Sequence, residues 1–308
     1  MGEIIAKTKY SYSKIDTYEQ CHFKFKLQYL DGHYYYSDNV ATLFGSAIHK
    51  VEEDIANCIK EGKPIDYIEL KNGLILKLAE IKHKFPKDYE ELDKSMRTYS
   101  DKAKFYLEKG IYRLENFMKA HPTYEIVGAE IPFKFDFDDE FYFSGYIDRV
   151  FKDTATGKYL IQDIKSWAIP AEEEKLKTPL QFVVYSLAVK NMYGVTTDDI
   201  TCEYDLPVCD LVQKGGTAGY INRGISKLTK LFEGIKANNF EPKPSPLCHW
   251  CNFCSHNENA PEEGKHLCPY FMHWTKENKD FSKENEWHGL ENHQAILEAY
   301  HKKYNINQ

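Results

Sequence analysis

Tyr159-Leu160-Ile161-Gln162-Asp163-Ile164-Lys165 reads as a short, largely apolar strand that carries an acid and a base two positions apart. The two-residue period of a strand puts Asp163 and Lys165 on one face. Thr156-Gly157-Lys158 supplies a turn ahead of it. Upstream, Ile126 to Phe137 and Glu140 to Phe151 are rich in β-branched and aromatic residues, with Asp138-Asp139 between them as a turn. Three consecutive antiparallel strands are therefore expected. In the middle one, Ser144-Gly145-Tyr146-Ile147-Asp148-Arg149-Val150 brings Asp148 within reach of the Asp163–Lys165 face.

Outward from these strands the pattern becomes helical. A helix is expected over Glu173 to Met192, then a strand over Ile200 to Val212, a Gly215-Gly216 loop and a helix over Ala218 to Ala237. On the other side, Ser13 or Ser11 suits an N-cap for a helix running to about Tyr29, and a second helix spans roughly Ala41 to Glu61. Ile65 to Ala120 stays helical and Lys/Glu-rich with breaks at Pro86 and Gly110, as in a helical insertion. Pro242, Pro244 and Pro246 stiffen the approach to Cys248, and Glu284 to Tyr304 looks like a terminal helix. This alternation of strands and helices is that of an α/β protein.

A chain of 308 residues can bury a full core, and 42% hydrophobic with 28% charged residues is ordinary for a globular protein. The net charge of −7 excludes a broadly basic surface but not a local basic groove. No apolar run approaches a membrane span, and the N-terminus lacks a signal peptide's apolar region; Lys7 also rejects a myristoylation motif at Gly2. A cytoplasmic location is expected, where eight cysteines favour metal ligation over disulfides. Four of them crowd together as Cys248-His-Trp-Cys251-Asn-Phe-Cys254 and Cys268, while Cys21 lies far upstream. Two-residue gaps let consecutive thiolates face one centre, either zinc or an iron–sulfur cluster.

Two carboxylates and a lysine on one sheet face suit a hard divalent cation with an ammonium that activates water or offsets charge. The plainer reading is a turn cap at Asp148 and a surface ion pair between Asp163 and Lys165. Gln181 and Tyr185, four apart in Pro179-Leu180-Gln181-Phe182-Val183-Val184-Tyr185, share a face of the next helix. Gln181 reads as a core amide, a solvent-facing residue or a group that orients phosphate or water. His49, in Gly45-Ser46-Ala47-Ile48-His49, is by itself an ordinary helix-surface histidine.

The ordered set Gly45-x3-His49, Glu130, Gly145-x2-Asp148, Asp163-x-Lys165 and Gln181-x3-Tyr185, bracketed by Cys21 and the C-terminal cysteines, resembles the PD-(D/E)XK nuclease superfamily. It is most similar to the iron–sulfur branch of RecB- and AddB-type domains and their CRISPR-associated and phage exonuclease relatives. The motifs run from Tyr10 to Pro269, so the resemblance is to one domain over 1–308. It implies an N-terminal helix carrying the first cluster cysteine (1–40), a helical region (41–122), a restriction-endonuclease-like catalytic core with a central mixed sheet flanked by helices (123–240), and an iron–sulfur segment with a C-terminal helix (241–308).

The resemblance also implies site roles. Asp148, Asp163, the carbonyl of Ile164 and His49 would hold Mg²⁺ or Mn²⁺; Lys165 would act on the attacking water. Gln181 and Tyr185 would steady the lysine or the DNA backbone, and Glu130 matches a further acidic position. Cys21, Cys248, Cys251 and Cys268 would hold a 4Fe-4S cluster, zinc being the alternative, with Cys254 either a bystander or a ligand in place of Cys251 or Cys268. The function so implied is a metal-dependent exonuclease on single-stranded DNA or DNA ends, in recombination, repair, or phage or CRISPR DNA processing, with partners from those systems and no membrane. The competing expectation is a non-catalytic DNA-end-binding or assembly module of the same fold.

Overall fold

The structure, a computed structural model, describes residues 7–35, 38–93, 95–255, 257, 259–270, 298 and 302. Its elements are β1 (Thr8–Tyr10), α1 (Tyr12–Gln20), α2 (His22–Phe25), α3 (Val40–Lys60), α4 (Tyr67–Lys84), α5 (Pro86–Glu90), α6 (Tyr99–Glu108), α7 (Arg113–Ala120), β2 (Tyr124–Asp136), β3 (Phe141–Asp153), β4 (Tyr159–Ile164), α8 (Glu173–Lys177), α9 (Leu180–Tyr193), β5 (Ile200–Leu206), β6 (Leu211–Gly215) and α10 (Tyr220–Lys236). The terminal helix expected over Glu284 to Tyr304 lies outside the described residues, apart from 298 and 302. Among those described, no helix is long and apolar enough to cross a membrane.

The six strands form one mixed sheet in the order β1-β3-β4-β5-β6, with β2 on the other edge of β3. β2, β3 and β4 are the three successive antiparallel strands expected from the sequence. β5 then returns parallel to β4, across the crossover that carries α9. Three expected elements divide. The helix over Glu173 to Met192 is α8 followed by α9, because Pro179 lacks an amide hydrogen and disfavours helical backbone at Thr178. The strand over Ile200 to Val212 is the hairpin β5–β6, broken at Pro207 and turned at Asp210, whose φ is +58°. The helix expected from Ser13 to Tyr29 likewise breaks at Cys21, where the thiol caps α2 by accepting from the Lys24 amide, and continues as a π-helical turn over Lys26–Leu30.

Alternation along the strands sorts the core. On one side of the sheet Phe151 and Leu160 join Phe44, Ile48, Val51 and Ile55 of α3 and the apolar faces of α4, α6 and α7. α9 is apolar nearly all round, with nine buried residues, so it sits inside the fold rather than on its surface. It packs against β5 through Phe182, whose ring centroid is 4.4 Å from that of Tyr204.

Arg149 is only 1% exposed, in the middle of β3. Its guanidinium donates to Gln162 Oε1 on β4, Glu52 Oε2 on α3 and Asp205 Oδ2 on β5, each at 2.9 Å. Tyr106 of α6 donates to the other Glu52 oxygen at 2.9 Å, and Arg113 of α7 reaches Asp205 Oδ1 at 2.7 Å. A buried cation survives only when its charge and donors are met, and here two carboxylates and an amide meet them.

Contact density divides the chain into two compact units, Met1–Tyr12 with Asp38–Leu228, and Ser13–Ser37 with Thr229–Gln308. The first contains the sheet. The second gathers Phe23, Leu27, Phe253, Leu267 and Tyr270 into its own small core, with Cys21, Cys251 and Cys268 packed against it.

Arg149→Met is expected to lower unfolding free energy by about 3–5 kcal/mol, since it strands two buried carboxylates. Chemical denaturation checks this; a loss below about 1 kcal/mol would show that the network does not hold the fold.

Candidate active site

β3 and β4 part after the Arg149–Gln162 pair. One residue further, their register sets Asp148 across from Asp163, on the sheet face opposite Arg149 and Gln162. On the other edge of β3, Glu130 of β2 falls between the Ala129–Arg149 and Ile131–Ile147 pairs, hence opposite Asp148. Carboxylates from three adjacent strands thus meet at the fork. Glu130 adopts a φ of +48°, a left-handed conformation that costs a non-glycine residue on the order of 1–3 kcal/mol and is held by its surroundings.

The fork is closed by side chains. Asp148 Oδ2 accepts the Ile164 amide hydrogen at 2.7 Å, replacing the ladder bond that the parting strands forgo. His49 of α3 brings Nδ1 to 3.7 Å from Asp148 Oδ2 and 3.9 Å from Glu130 Oε1. α3 lies close to the chain just beyond β4: a Cβ on Gly45 would stand 3.2 Å from Ser166 Oγ, so a side chain there would press on the loop that follows Lys165. Ligand atoms of His49, Glu130 and Asp148 all lie within 4.8 Å of one another, as a metal site requires.

A second chain of contacts runs beside the first. Lys165 Nζ is 2.6 Å from Asp163 Oδ2, an ion pair outside hydrogen-bond geometry, so that oxygen has no hydrogen-bond partner although it is fully buried. Gln181 of α9 donates to Asp163 Oδ1 at 2.7 Å and to the Tyr185 hydroxyl at 3.0 Å, and accepts from Lys165 Nζ at 3.3 Å. One amide therefore orients both the acid and the base of the Asp-x-Lys pair. His49, Glu130, Asp148, Asp163, Lys165, Gln181 and Tyr185 each make one of these contacts, and Ile164 donates its amide hydrogen to Asp148. Asp163 stands outside the three-residue ligand group, its oxygens taken up by Gln181 and Lys165, and Glu130 stands inside it.

The electrostatics fit a site built for a cation. Burial raises the Asp163 carboxyl to about 6, with Lys165 pulling it down and Asp148 pushing it up. Burial also raises Asp148, against His49, the Ile164 amide and Lys165. His49 is lowered by burial, but Glu130 and the charges of Asp148 and Asp163 outweigh this and leave it raised. Burial and the Asp163 charge raise the Tyr185 hydroxyl, which stays neutral. A divalent ion would relieve the crowding of these carboxylates, and His/Asp/Glu donors suit Mg²⁺ or Mn²⁺.

A family model for the PD-(D/E)XK nuclease superfamily matches residues 9–256. The chain belongs to the PD-(D/E)XK nuclease superfamily. No curated protein gives a significant match. Asp148 lies on β3 and Asp163 on β4, with Lys165 one residue past the end of β4. Sequence reasoning passed over Arg149, although an arginine inside the run Ile147 to Phe151 of a strand must find buried partners. Glu52, one turn along α3 from His49, was equally missed.

In the second unit, Cys21, Cys248, Cys251, Cys254 and Cys268 line one cavity with Lys24, Phe253 and Tyr270. Backbone N–H groups point at four of the sulfurs: Lys24 to Cys21, Ser245 to Cys248, Phe253 to Cys251 and Tyr270 to Cys268. Burial pushes the Cys251 thiol up to about 11, against the Lys24 charge. Among the described residues, no three cysteine sulfurs lie mutually within 4.8 Å.

Because Asp163 titrates near 6 rather than at the ordinary 3.8, the cation-free fold binds this proton more tightly than the unfolded chain. Its contribution to stability is full below about 4 and lost as pH rises through 6. A cation bound to the ionised carboxylate reverses this. The rise in Tm caused by Mn²⁺ should therefore be larger at pH 7 than at pH 5; an equal rise at both would remove Asp163 from the ligand set.

Proposed function

We propose that the protein is a Mg²⁺- or Mn²⁺-dependent deoxyribonuclease, an exonuclease acting on single-stranded DNA or DNA ends. The observation that carries this is the joining of the His49–Glu130–Asp148 group to an intact Asp163–Lys165–Gln181 chain in a nuclease superfamily member. His49, Asp148 and Asp163, with Glu130 and the Ile164 carbonyl, would hold the cation. The ion, when bound, neutralises phosphate charge and acidifies a coordinated water. Lys165, steered by Gln181, holds that water or the developing negative charge on the phosphate. Tyr185 fixes the Gln181 amide, and the neutral hydroxyl leaves the site's charge balance to the carboxylates and Lys165. A non-catalytic DNA-end-binding module would need none of these contacts, and every one is present.

The cysteine cavity is the proposed seat of a 4Fe-4S cluster on Cys21, Cys248, Cys251 and Cys268, with Cys254 as a buried neighbour. Four thiolates suit either metal; the Cys-x2-Cys pair and the closing Cys268-Pro269 follow the iron–sulfur branch that the chain resembles, and in a cubane each thiolate binds its own iron. The amide hydrogens aimed at the sulfurs favour thiolates over thiols, and ligation would tie Ser13–Ser37 to the C-terminal segment within the second unit. Eight free thiols fit the reducing cytoplasm. A role in recombination, repair, or phage or CRISPR DNA processing, with partners from those systems, accords with such an activity.

Lys165→Ala should reduce kcat on a DNA strand about 100-fold or more with either cation; absence of cleavage by the wild-type protein under both cations would sink the enzyme reading. Protein purified without oxygen should be brown and contain iron, and Cys268→Ser should lose the visible absorbance. Stoichiometric zinc in place of iron would overturn the cluster.

A further inference from the structure

The fork leaves an exposed aromatic ring on each of its arms. Tyr146 lies on β3 two residues before Asp148, on the same strand face, and is 61% exposed. Trp167 lies beyond the end of β4, two residues after Lys165, and is 40% exposed. Its ring is not a loose surface group. The Trp167 centroid lies 5.6 Å from that of Tyr204, which is buried and rests in turn on Phe182 at 4.4 Å. Lys165 Nζ stands 5.5 Å from the Trp167 ring and 5.6 Å from the Tyr204 ring. The same ammonium is 2.6 Å from Asp163. A half-exposed indole, backed by two packed rings, thus sits within about one nucleotide of the carboxylates.

We propose that Trp167 is a base-stacking platform for single-stranded DNA, with Tyr146 as a second platform on the opposite arm, so that the strand crosses the fork with its scissile phosphate at the carboxylates. The proposal rests on the nuclease reading and deepens it by assigning the substrate as unpaired DNA. A stacked duplex base presents only its edge, whereas an unpaired base offers the π-face that an exposed indole accepts. Stacking is indifferent to base identity, so digestion on this scheme is sequence-tolerant. The adjacent Lys165 supplies the charge that a phosphate next to a stacked base needs.

Binding separates this proposal from the activity. With no divalent cation added, fluorescence anisotropy of a labelled ten-nucleotide thymidine strand reads affinity without cleavage, and the same strand with abasic residues reads it without bases. Wild-type protein should prefer the strand with bases. Trp167→Ala should weaken binding of that strand roughly 5- to 150-fold and leave the abasic strand unchanged. Trp167→Phe should retain most of the affinity, and Tyr146→Ala should show a smaller loss of the same kind. Equal affinity of the wild-type protein for both strands, or unchanged binding by a folded Trp167→Ala, would overturn the proposal, even if nuclease activity is found. Conversely, a protein that cuts no DNA but shows the base-dependent binding would retain the platform and lose the nuclease reading.

Discussion

Arg149 binds together the elements that carry the site. Its guanidinium reaches Glu52 on the helix of His49, Gln162 on the strand of Asp163, and Asp205 on the strand whose backbone carbonyl accepts the Lys165 amide hydrogen at 2.8 Å. Arg149 itself adjoins Asp148. A buried cation with three directional partners fixes their mutual positions far better than apolar packing does, because apolar contact has no preferred orientation. The sheet thus separates two charge systems by alternation alone. On one face a cation is surrounded by acids and neutralised; on the other, acids crowd together around a single lysine.

The acidic face is the unstable half of that arrangement, and its instability is useful. Burial raises Asp148 and Asp163, and neither gains enough from Lys165 and His49 to return to the ordinary carboxylate range. A cation bound among them would relieve this cost, and the strain would then become affinity. The left-handed backbone of Glu130 belongs to the same economy, since an extended residue opposite Asp148 would continue the ladder. Likewise the fork replaces one strand–strand bond with a side-chain carboxylate that accepts the Ile164 amide hydrogen.

Much of this was legible in the chain. Period-two patterning set β2, β3 and β4 and placed Asp163 with Lys165; the ordered motifs brought in Asp148, Gln181, Tyr185 and His49. What escaped were interactions with no local signature. Arg149 sits in the same motif as Asp148, yet its partners come from positions 52, 162 and 205, and no spacing rule links them. The breaks at Thr178–Pro179 and Pro207 carried a local signal in their prolines, and reading α8–α9 and β5–β6 as single elements gave that signal too little weight.

By itself the sequence determined the α/β class, the acid–base pair on one strand face and the cysteine set, because each depends on periodicity or short spacing. Only the tertiary structure decided that Glu130 joins His49 and Asp148, and that Gln181 bridges Asp163 and Lys165. Those outcomes turn on where strands part and how a helix crosses them. Such geometry is set by packing over the whole unit, and no local stretch of residues encodes it.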